Sequence, residues 1–316
     1  MMDLRNKKIV VAGGTGFIGS HVISALMRRG VVREQIFVPR SKECDLRLWE
    51  HAVRAVKGAD IVFDCAAVPG DIVRRAEIPG TLFYENLVMG LHLVEAAFRE
   101  GVAKIITIGS ATEYPAEASA PLKEDDIWGG LPALGNIPYG LSKRVVALQG
   151  ELYRREAGFS AIHLLLTNAY GPGERFESGY MVPSLIQKIL NAKQNHDREI
   201  EVWGTGNAIR DLIFVEDAVE GILLAAERYD EAAPLNIASG TGISIRELVT
   251  LLAALSGFEG TIRWNADKPE GDLRRFLDTG RATQFLGFET KTPLREGLKQ
   301  TIEWHLAHSF RTGAGT

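Results

Sequence analysis

Cysteine is scarce in this chain of 316 residues, which contains only Cys44 and Cys65. Two cysteines cannot build a disulfide framework, and their separation matches no spacing of zinc ligands. Unpaired cysteines are typical of proteins kept in a reducing compartment. We therefore predict no disulfide bond, no metal site and no chemical role for either thiol.

Long apolar runs and an excess of one charge are also lacking. The chain is 46% hydrophobic and 24% charged, with a net charge of −4 and an isoelectric point near 6.0. Because the basic residues are scattered, there is no electrostatic reason to expect nucleic acid or an anionic membrane as partner. The first apolar stretch is too short for a signal sequence or a membrane span. The sequence predicts a cytoplasmic protein.

Glycine, by contrast, is abundant, and a glycine-rich turn opens the chain. Residues 8–12 are typical of a short buried strand, glycines follow at 13, 14, 16 and 19, and apolar residues then recur at helical spacing. A strand, a tight turn and a helix in this order can bind the pyrophosphate of a dinucleotide, because helix N–H groups face the anion. The predicted cofactor-binding residues of this turn are Gly13, Gly14, Thr15, Gly16, Phe17, Ile18 and Gly19.

The end of the second predicted strand indicates which dinucleotide binds. The strand at 35–38 is followed by Pro39, Arg40, Ser41 and Lys42, where a chain that binds NAD usually carries an acid for the ribose hydroxyls. Positive charge and a hydroxyl suit a 2′-phosphate instead. We predict NADP(H) as the cofactor, with a solvated basic turn as the alternative.

Strand and helix patterns then alternate along the chain. Further strands are predicted at 60–67, 104–110 and 161–167, and helices at 83–99 and 139–156. This succession predicts an α/β fold with a Rossmann-type doubly wound parallel sheet, in which ligands bind at the carboxyl ends of the strands. Ala66, Ala67, Ser110 and Asn168 fall at such ends, and the small alanines let the backbone pass close to a cofactor.

A smaller second region is predicted beyond the glycines at 171 and 173, where the pattern changes. We expect a cofactor-binding domain made of residues 1–171 plus about 210–240. A discontinuous C-terminal substrate-binding lobe would take residues from about 172 to 209 plus 241–316. The long irregular segment at 116–138 is expected to border the active site, because loops of this length are usually functional or disordered.

Tyr139 and Lys143 form the most informative pair of side chains after the glycine turn. They stand four residues apart, which on a helix places both on one face. A phenol with a pKa of about 10 is a poor acid or base at neutral pH, but a nearby ammonium favours the phenolate. Ser110 at the neighbouring strand end can donate a hydrogen bond to the same substrate oxygen. We predict Ser110, Tyr139 and Lys143 as catalytic residues of an oxidoreductase, and Tyr139 and Lys143 also as cofactor-binding residues.

The glycine turn, Ser110, Tyr139 and Lys143 together resemble the extended short-chain dehydrogenase/reductase superfamily of nucleotide-sugar epimerases, dehydratases and reductases. Further motifs are similar to the GDP-L-fucose synthase branch of that superfamily, and they lie at 38–46, 84–87, 138–143, 167–173, 202–206, 210–217 and 268–271. The likeness runs over nearly the whole chain, to Trp304. That branch epimerises C3 and C5 of GDP-4-keto-6-deoxy-mannose and reduces C4 with NADPH, usually as a homodimer.

The resemblance implies roles for individual residues. Arg40 would bind the 2′-phosphate, and Thr167 and Asn168 would line the nicotinamide. The substrate-binding residues it implies are Thr112, Asn168, Tyr180, Lys188, Trp203, Arg210 and Glu270. The helices predicted at 83–99 and 139–156 would form the contact of a homodimer.

Two positions depart from the pattern of that branch. The branch uses a cysteine and a histidine to epimerise the sugar, and this chain has Thr112 and Tyr180 there. Removing a proton from a carbon next to a ketone needs a group that accepts one near neutral pH, which a threonine hydroxyl cannot do. Glu113 is a carboxylate one residue along, but strand alternation would turn it to the opposite face. Epimerisation is therefore in doubt, whereas ketone reduction is not.

Several functions stay open. The first is an NADPH-dependent reductase of a nucleotide-linked 4-keto-6-deoxy sugar. The nucleotide would be GDP, and the enzyme would catalyse little or no epimerisation at C3 and C5. The second is a full GDP-L-fucose synthase in which Tyr180, Glu113 or water replaces the missing pair. A nucleotide-sugar 4-epimerase would need only Ser110 and Tyr139 but tends to use NAD, and a dehydratase would need an acid pair where Ala111 and Thr112 stand. A non-catalytic protein that senses NADP is a further alternative.

Overall fold

The computed structural model describes residues 2–68, 77–176, 179–268 and 274–309. The strands are β1 Ile9–Ala12, β2 Ile36–Phe37, β3 Ile61–Asp64, β4 Lys104–Ser110, β5 Ser160–Leu166, β6 Asn168–Tyr170, β7 Glu199–Trp203, β8 Ile209–Phe214, β9 Leu235–Ile237, β10 Gly242–Ser244, β11 Thr261–Asn265 and β12 Arg274–Arg275. The α-helices are α1 Phe17–Arg28, α2 Trp49–Val56, α3 Pro79–Arg99, α4 Ser142–Ala157, α5 Met181–Asn195, α6 Val215–Arg228, α7 Ile245–Ser256, α8 Gly280–Leu286 and α9 Leu294–Ser309.

A parallel sheet in the order β2-β1-β3-β4-β5-β9 forms the centre of the larger region. Its strands are buried on both faces, which explains why they are continuous apolar runs. In β1, Ile9 and Val11 pack into one core with residues of α1 and α6, whereas Val10 and Ala12 pack into the other with residues of α2 and α3. The predicted Rossmann-type doubly wound sheet is confirmed.

The smaller sheets lie in the second half of the chain. β8 pairs antiparallel with β10 and parallel with β12 and β6, and β7 pairs parallel with β11. Residues of α5, α7 and α9 form a third core over these strands. The predicted division at residue 210 assigns β8 to the cofactor-binding domain, whereas β8 pairs outside the central sheet. The helix that follows it, α6, packs against α1.

Asp211 on β8 connects three segments from the second half of the chain. This fully buried carboxylate accepts hydrogen bonds from the backbone N–H groups of Ser239, Gly240 and Leu277, and also from the Ser239 hydroxyl. Burial raises the pKa of Asp211, while these hydrogen bonds oppose that rise. The carboxylate thus holds β8 against the loop after β9 and the segment after β12.

The segment at 116–138 is mostly irregular, as predicted, with short 3₁₀ turns at Glu124–Trp128 and Leu134–Asn136. Its Leu122 exchanges backbone hydrogen bonds with Phe276 and Asp278, which joins the segment to the C-terminal part of the chain. Across the described residues, no helix is both long and apolar enough to cross a membrane.

Candidate active site

In the glycine turn after β1, one glycine is exposed to solvent and two others are packed too closely for a side chain. Gly13 has φ +71°, and an added Cβ would lie 2.6 Å from Cys65 O. A Cβ on Gly19 would lie 2.3 Å from Gly13 O, so both positions exclude a side chain. Gly16 is exposed and is the N-cap of α1, which aims the first N–H groups of the helix outward. These residues fit the pyrophosphate of a dinucleotide.

The end of β3 lies against this turn. Lys143 Nζ donates a hydrogen bond of 3.0 Å to Ala66 O, and Ala67, the next residue, is exposed. Burial, aided by Asp64 and opposed by Lys143, raises the pKa of the Cys65 thiol to about 12. The thiol therefore stays neutral at physiological pH.

Tyr139 and Lys143 lie on one face, although not on one regular α-helix. A π-helical turn at Ile137–Leu141 carries Tyr139, and α4 starts after it. Lys143 Nζ is 6.0 Å from the centroid of the Tyr139 ring. Burial would lower the pKa of Lys143, but Asp64, Tyr139 and Glu113 together raise it above its ordinary value. The ammonium beside the phenol is therefore charged at neutral pH.

Ser110 ends β4 and caps a 3₁₀ turn at Ala111–Glu113. Its Oγ accepts hydrogen bonds from the backbone N–H of Thr112 at 3.2 Å and from Thr112 Oγ1 at 3.0 Å. The turn packs on the π turn, because an added Cβ on Gly140 would lie 2.3 Å from Thr112 O. The absence of a side chain at Gly140 thus lets the segments of Ser110 and Tyr139 meet.

Glu113 does not face this site. Its carboxylate is fully buried, accepts a hydrogen bond of 2.7 Å from the backbone N–H of Ser110, and lies 2.9 Å from His163 Nε2. Strand alternation does not govern its direction, because the strand ends at Ser110 and the next residues turn. The carboxylate is committed to these two contacts, which argues against it as a base that attacks substrate.

Thr167 and Asn168 lie where β5 ends and β6 begins. The Thr167 hydroxyl and the Asn168 side-chain amide both donate hydrogen bonds of 3.0 Å to Asp211 O. Thr167 is buried, whereas Asn168 is exposed. The same strand that holds Arg210 therefore orients the residues predicted to line the nicotinamide.

Three residues predicted to bind substrate lie on α5 and β7. Tyr180 is the exposed N-cap of α5. Lys188 Nζ donates a hydrogen bond of 2.7 Å to Glu201 O. Trp203 is 48% exposed at the end of β7, with Lys268 Nζ 5.7 Å from its ring centroid. Lys188 and Trp203 thus make their contacts around β7 rather than with the Ser110 turn.

Arg210 on β8 is paired in register with Arg275 on β12. Arg275 is buried, and its Nη1 donates a hydrogen bond of 2.7 Å to Ala111 O in the Ser110 turn. Arg275 thus brings a guanidinium group to this turn, and Arg210 is its neighbour on the adjacent strand; guanidinium groups suit an anionic substrate. Arg40 is exposed in the turn after β2, and Glu270 lies outside the described residues.

Four residues that shape the site were not predicted. Asp64 adds charge near Lys143, Asp211 holds Asn168, and Arg275 reaches the Ser110 turn. Asn86 on α3 is buried, and its side chain accepts from the N–H of Val68 at 2.9 Å. An acid at the end of an apolar strand could have indicated Asp64. No local pattern distinguishes the other three.

The chain is similar to known proteins along its whole length. Residues 9–238 match the model of the NAD dependent epimerase/dehydratase family. GDP-L-fucose synthase of Sinorhizobium fredii is 32% identical over 310 residues, which cover 96% of this chain and 96% of that protein. Probable GDP-L-fucose synthase 1 of Oryza sativa subsp. japonica is 31% identical over 306 residues, which cover 95% of this chain and 92% of that protein.

Solved structures agree with these relatives. The GDP-mannoheptose C4 reductase from Campylobacter jejuni, solved with NADP bound, matches this chain with a TM-score of 0.85 and 26% sequence identity. The match covers 97% of this chain and 100% of that one.

Proposed function

Because the chain belongs to the NAD dependent epimerase/dehydratase family, we propose that it is an NADP(H)-dependent reductase of a GDP-linked 4-keto-6-deoxy sugar. Reduction takes place at C4, with little or no epimerisation at C3 and C5. The relatives named above include GDP-sugar synthases and a GDP-sugar C4 reductase with NADP bound, which supports both the cofactor and the class of substrate.

The cofactor would lie against the glycine turn and the carboxyl ends of the central strands. Gly16 and the first turn of α1 would hold the pyrophosphate, and Arg40 would hold the 2′-phosphate. Ala66, Ala67 and Asn168 lie at the strand ends that border the nicotinamide. When bound, NADPH supplies the hydride for the C4 carbonyl carbon.

The observation that carries the proposal is the charged Lys143 beside Tyr139. Tyr139 gives its phenol proton to the C4 oxygen as the carbonyl carbon is reduced, and the positive charge of Lys143 balances the negative charge that this leaves on the tyrosine. Ser110 donates a hydrogen bond to that same oxygen and so stabilises the charge that develops on it. The product is a secondary alcohol.

The lack of an epimerising pair supports the narrower activity. Thr112 Oγ1 donates a hydrogen bond to Ser110, and the buried Glu113 carboxylate is bonded to Ser110 N and His163. Tyr180 brings a phenol, not an imidazole, to the second position. A full GDP-L-fucose synthase is the second candidate, favoured by the names of the relatives. A nucleotide-sugar 4-epimerase has less support because Arg40 suits NADP, and a non-catalytic protein that senses NADP has less support because Ser110, Tyr139 and Lys143 are all present.

The test is a reaction with NADPH and GDP-4-keto-6-deoxy-mannose in heavy water, with the product analysed by NMR. We expect a C4 alcohol with no deuterium at C3 or C5. Deuterium at both carbons with a fucose configuration would support the full synthase instead. If no 4-keto nucleotide sugar is reduced, the protein is not a reductase of this class.

We also propose a homodimer through α3 and α4. These helices pack together, with the Phe98 and Tyr153 rings stacked at 4.1 Å, and Leu152 on α4 stays 50% exposed. The substitution Leu152→Glu should shift the protein toward monomer in light-scattering measurements. Leu306→Glu on α9, which is 42% exposed, is the control, and an unchanged mass for Leu152→Glu would contradict this interface.

A further inference from the structure

The two lone pairs of the Ser110 hydroxyl are both occupied by one neighbouring residue. Ser110 Oγ accepts a hydrogen bond from the Thr112 N–H at 3.2 Å and a second from Thr112 Oγ1 at 3.0 Å. A serine hydroxyl has two acceptor positions and one proton to donate. With both acceptor positions filled by Thr112, the Ser110 hydroxyl is left to act as a donor.

The turn that makes these bonds is fixed at each of its residues. Arg275 Nη1 donates to Ala111 O at 2.7 Å, and Arg144 Nη2 donates to Glu113 O. The carbonyl of Thr112 lies against Gly140, where an added Cβ would lie only 2.3 Å from it. The backbone around Thr112 therefore has little freedom to turn its hydroxyl elsewhere.

Buried polar side chains hold the turn from behind. Glu113 accepts a hydrogen bond of 2.7 Å from the N–H of Ser110 and lies 2.9 Å from His163 Nε2, while His163 Nδ1 is 2.7 Å from Thr107 Oγ1. Gly109 makes room for this contact, since an added Cβ would lie 2.2 Å from Glu113 Oε1 and 2.3 Å from His163 Nε2. Ser110 is thus held through its backbone by Glu113 and through its side chain by Thr112.

We propose that Thr112 is a positioning residue that holds the Ser110 hydroxyl as a hydrogen-bond donor toward the C4 oxygen of the sugar. This role rests on the proposed reductase function. Thr112, which stands where the related branch has its epimerising cysteine, would thus act in the reduction. A group that only donates to Ser110 does not take a proton from C3 or C5, so the role favours reduction without epimerisation.

The variants Thr112→Val and Thr112→Ser test the role with matched shapes. Valine keeps the branched shape and the backbone N–H but loses the hydroxyl, whereas serine keeps the hydroxyl. We expect Thr112→Val to lower kcat roughly fivefold to tenfold, as the loss of one hydrogen bond to an oriented group does, with the KM for the sugar and the Kd for NADPH unchanged. Thr112→Ser should restore kcat to within about twofold. Thr250→Val, at an exposed threonine on α7, is the control.

A double-mutant cycle with Ser110→Ala separates positioning from general damage. If Thr112 acts through Ser110, Thr112→Val should cause no further loss of kcat in the Ser110→Ala enzyme. An equal loss in both backgrounds, an unchanged kcat in Thr112→Val, or a failure of serine to rescue would each overturn the role. A wild-type enzyme that reduces no GDP-4-keto sugar would instead overturn the proposed function, and the role of Thr112 with it.

Discussion

Lys143 Nζ lies 6.0 Å from the centroid of the Tyr139 ring and donates a hydrogen bond of 3.0 Å to Ala66 O. One ammonium therefore contacts both the predicted proton donor and the end of β3, where the cofactor is expected. Because its pKa is raised, Lys143 stays charged across the physiological range. On the proposed function, the pair would couple the chemistry of the phenol to the position of the cofactor.

Replacing the phenol should stop reduction without preventing cofactor binding. Tyr139→Phe removes the proton donor and keeps the ring, so we expect kcat to fall by roughly 100-fold or more. The Kd for NADPH, measured by fluorescence titration, should change less than about twofold, since the backbone turn and Arg40 are intact. Tyr84→Phe, at a tyrosine that is 63% exposed, should retain full activity. Equal activity of the two variants would contradict the assigned role.

The contact between the Ser110 turn and the π turn can be tested with two glycines. A Cβ on Gly140 would lie 2.3 Å from Thr112 O, whereas one on Gly135 would meet nothing within 4 Å. Gly140→Ala should therefore shift the backbone that carries Tyr139 and lower kcat by roughly tenfold or more. Gly135→Ala should behave as wild type. The melting temperature of each variant, measured with kcat, will show whether misplacement or unfolding causes the loss.

Cofactor preference should depend on Arg40. Removing a charged donor from a phosphate loses about 1.5–3 kcal/mol, so Arg40→Ala should raise the KM for NADPH by roughly 10-fold to 100-fold. The KM for NADH should hardly change, because NADH has no 2′-phosphate. Arg28→Ala, at an exposed arginine in the last turn of α1, is the control. Equal effects on both cofactors would show that Arg40 does not read the phosphate.

Glu174 should make the stability of the protein fall as pH rises. Its side chain is buried, with Oε2 lacking a hydrogen-bond partner among the described residues, and burial raises its pKa from 4.5 to about 8. Between these values the folded state holds a proton that the unfolded state releases, so the free energy of unfolding decreases with pH. At about 1.4 kcal/mol per pKa unit, the full decrease is on the order of 5 kcal/mol.

Glu174→Gln is neutral at every pH and should lose this dependence. Urea unfolding at pH 5 and at pH 8 will show it, with the variant gaining on wild type at the higher value. Glu117→Gln, at an exposed glutamate, is the control. Curves for Glu174→Gln and wild type that run parallel across this range would mean that another group titrates.

The central sheet could be predicted because its signals are local. Each strand is a short apolar run, each helix has its own spacing, and the glycine turn marks where the first of them meet. The place of β8 could not be predicted, because its apolar pattern resembles that of a central strand. Its partners β6, β10 and β12 come from distant parts of the chain, and strand pairing over such distances leaves no local signal.

The candidate site divides in the same way. Tyr139 and Lys143 could be predicted to lie together because a four-residue spacing places them on one face. The catalytic roles of Ser110, Tyr139 and Lys143 stay predictions. Glu113 was correctly expected to point away from the site, but the reason differs, because the chain turns after Ser110 and does not continue as a strand. Arg275 was missed because only the register of β12 on β8 brings it beside Arg210.

Gly109 limits which amino-acid substitutions this part of the protein can accept. The space that its side chain would fill is taken by Glu113 and His163, so the three positions are not independent of one another. An alanine at 109 should be harmful in this background, and its steric clash should be relieved once 113 and 163 carry smaller residues. The effect of a substitution at any one of these three positions should therefore depend on which residues the other two carry.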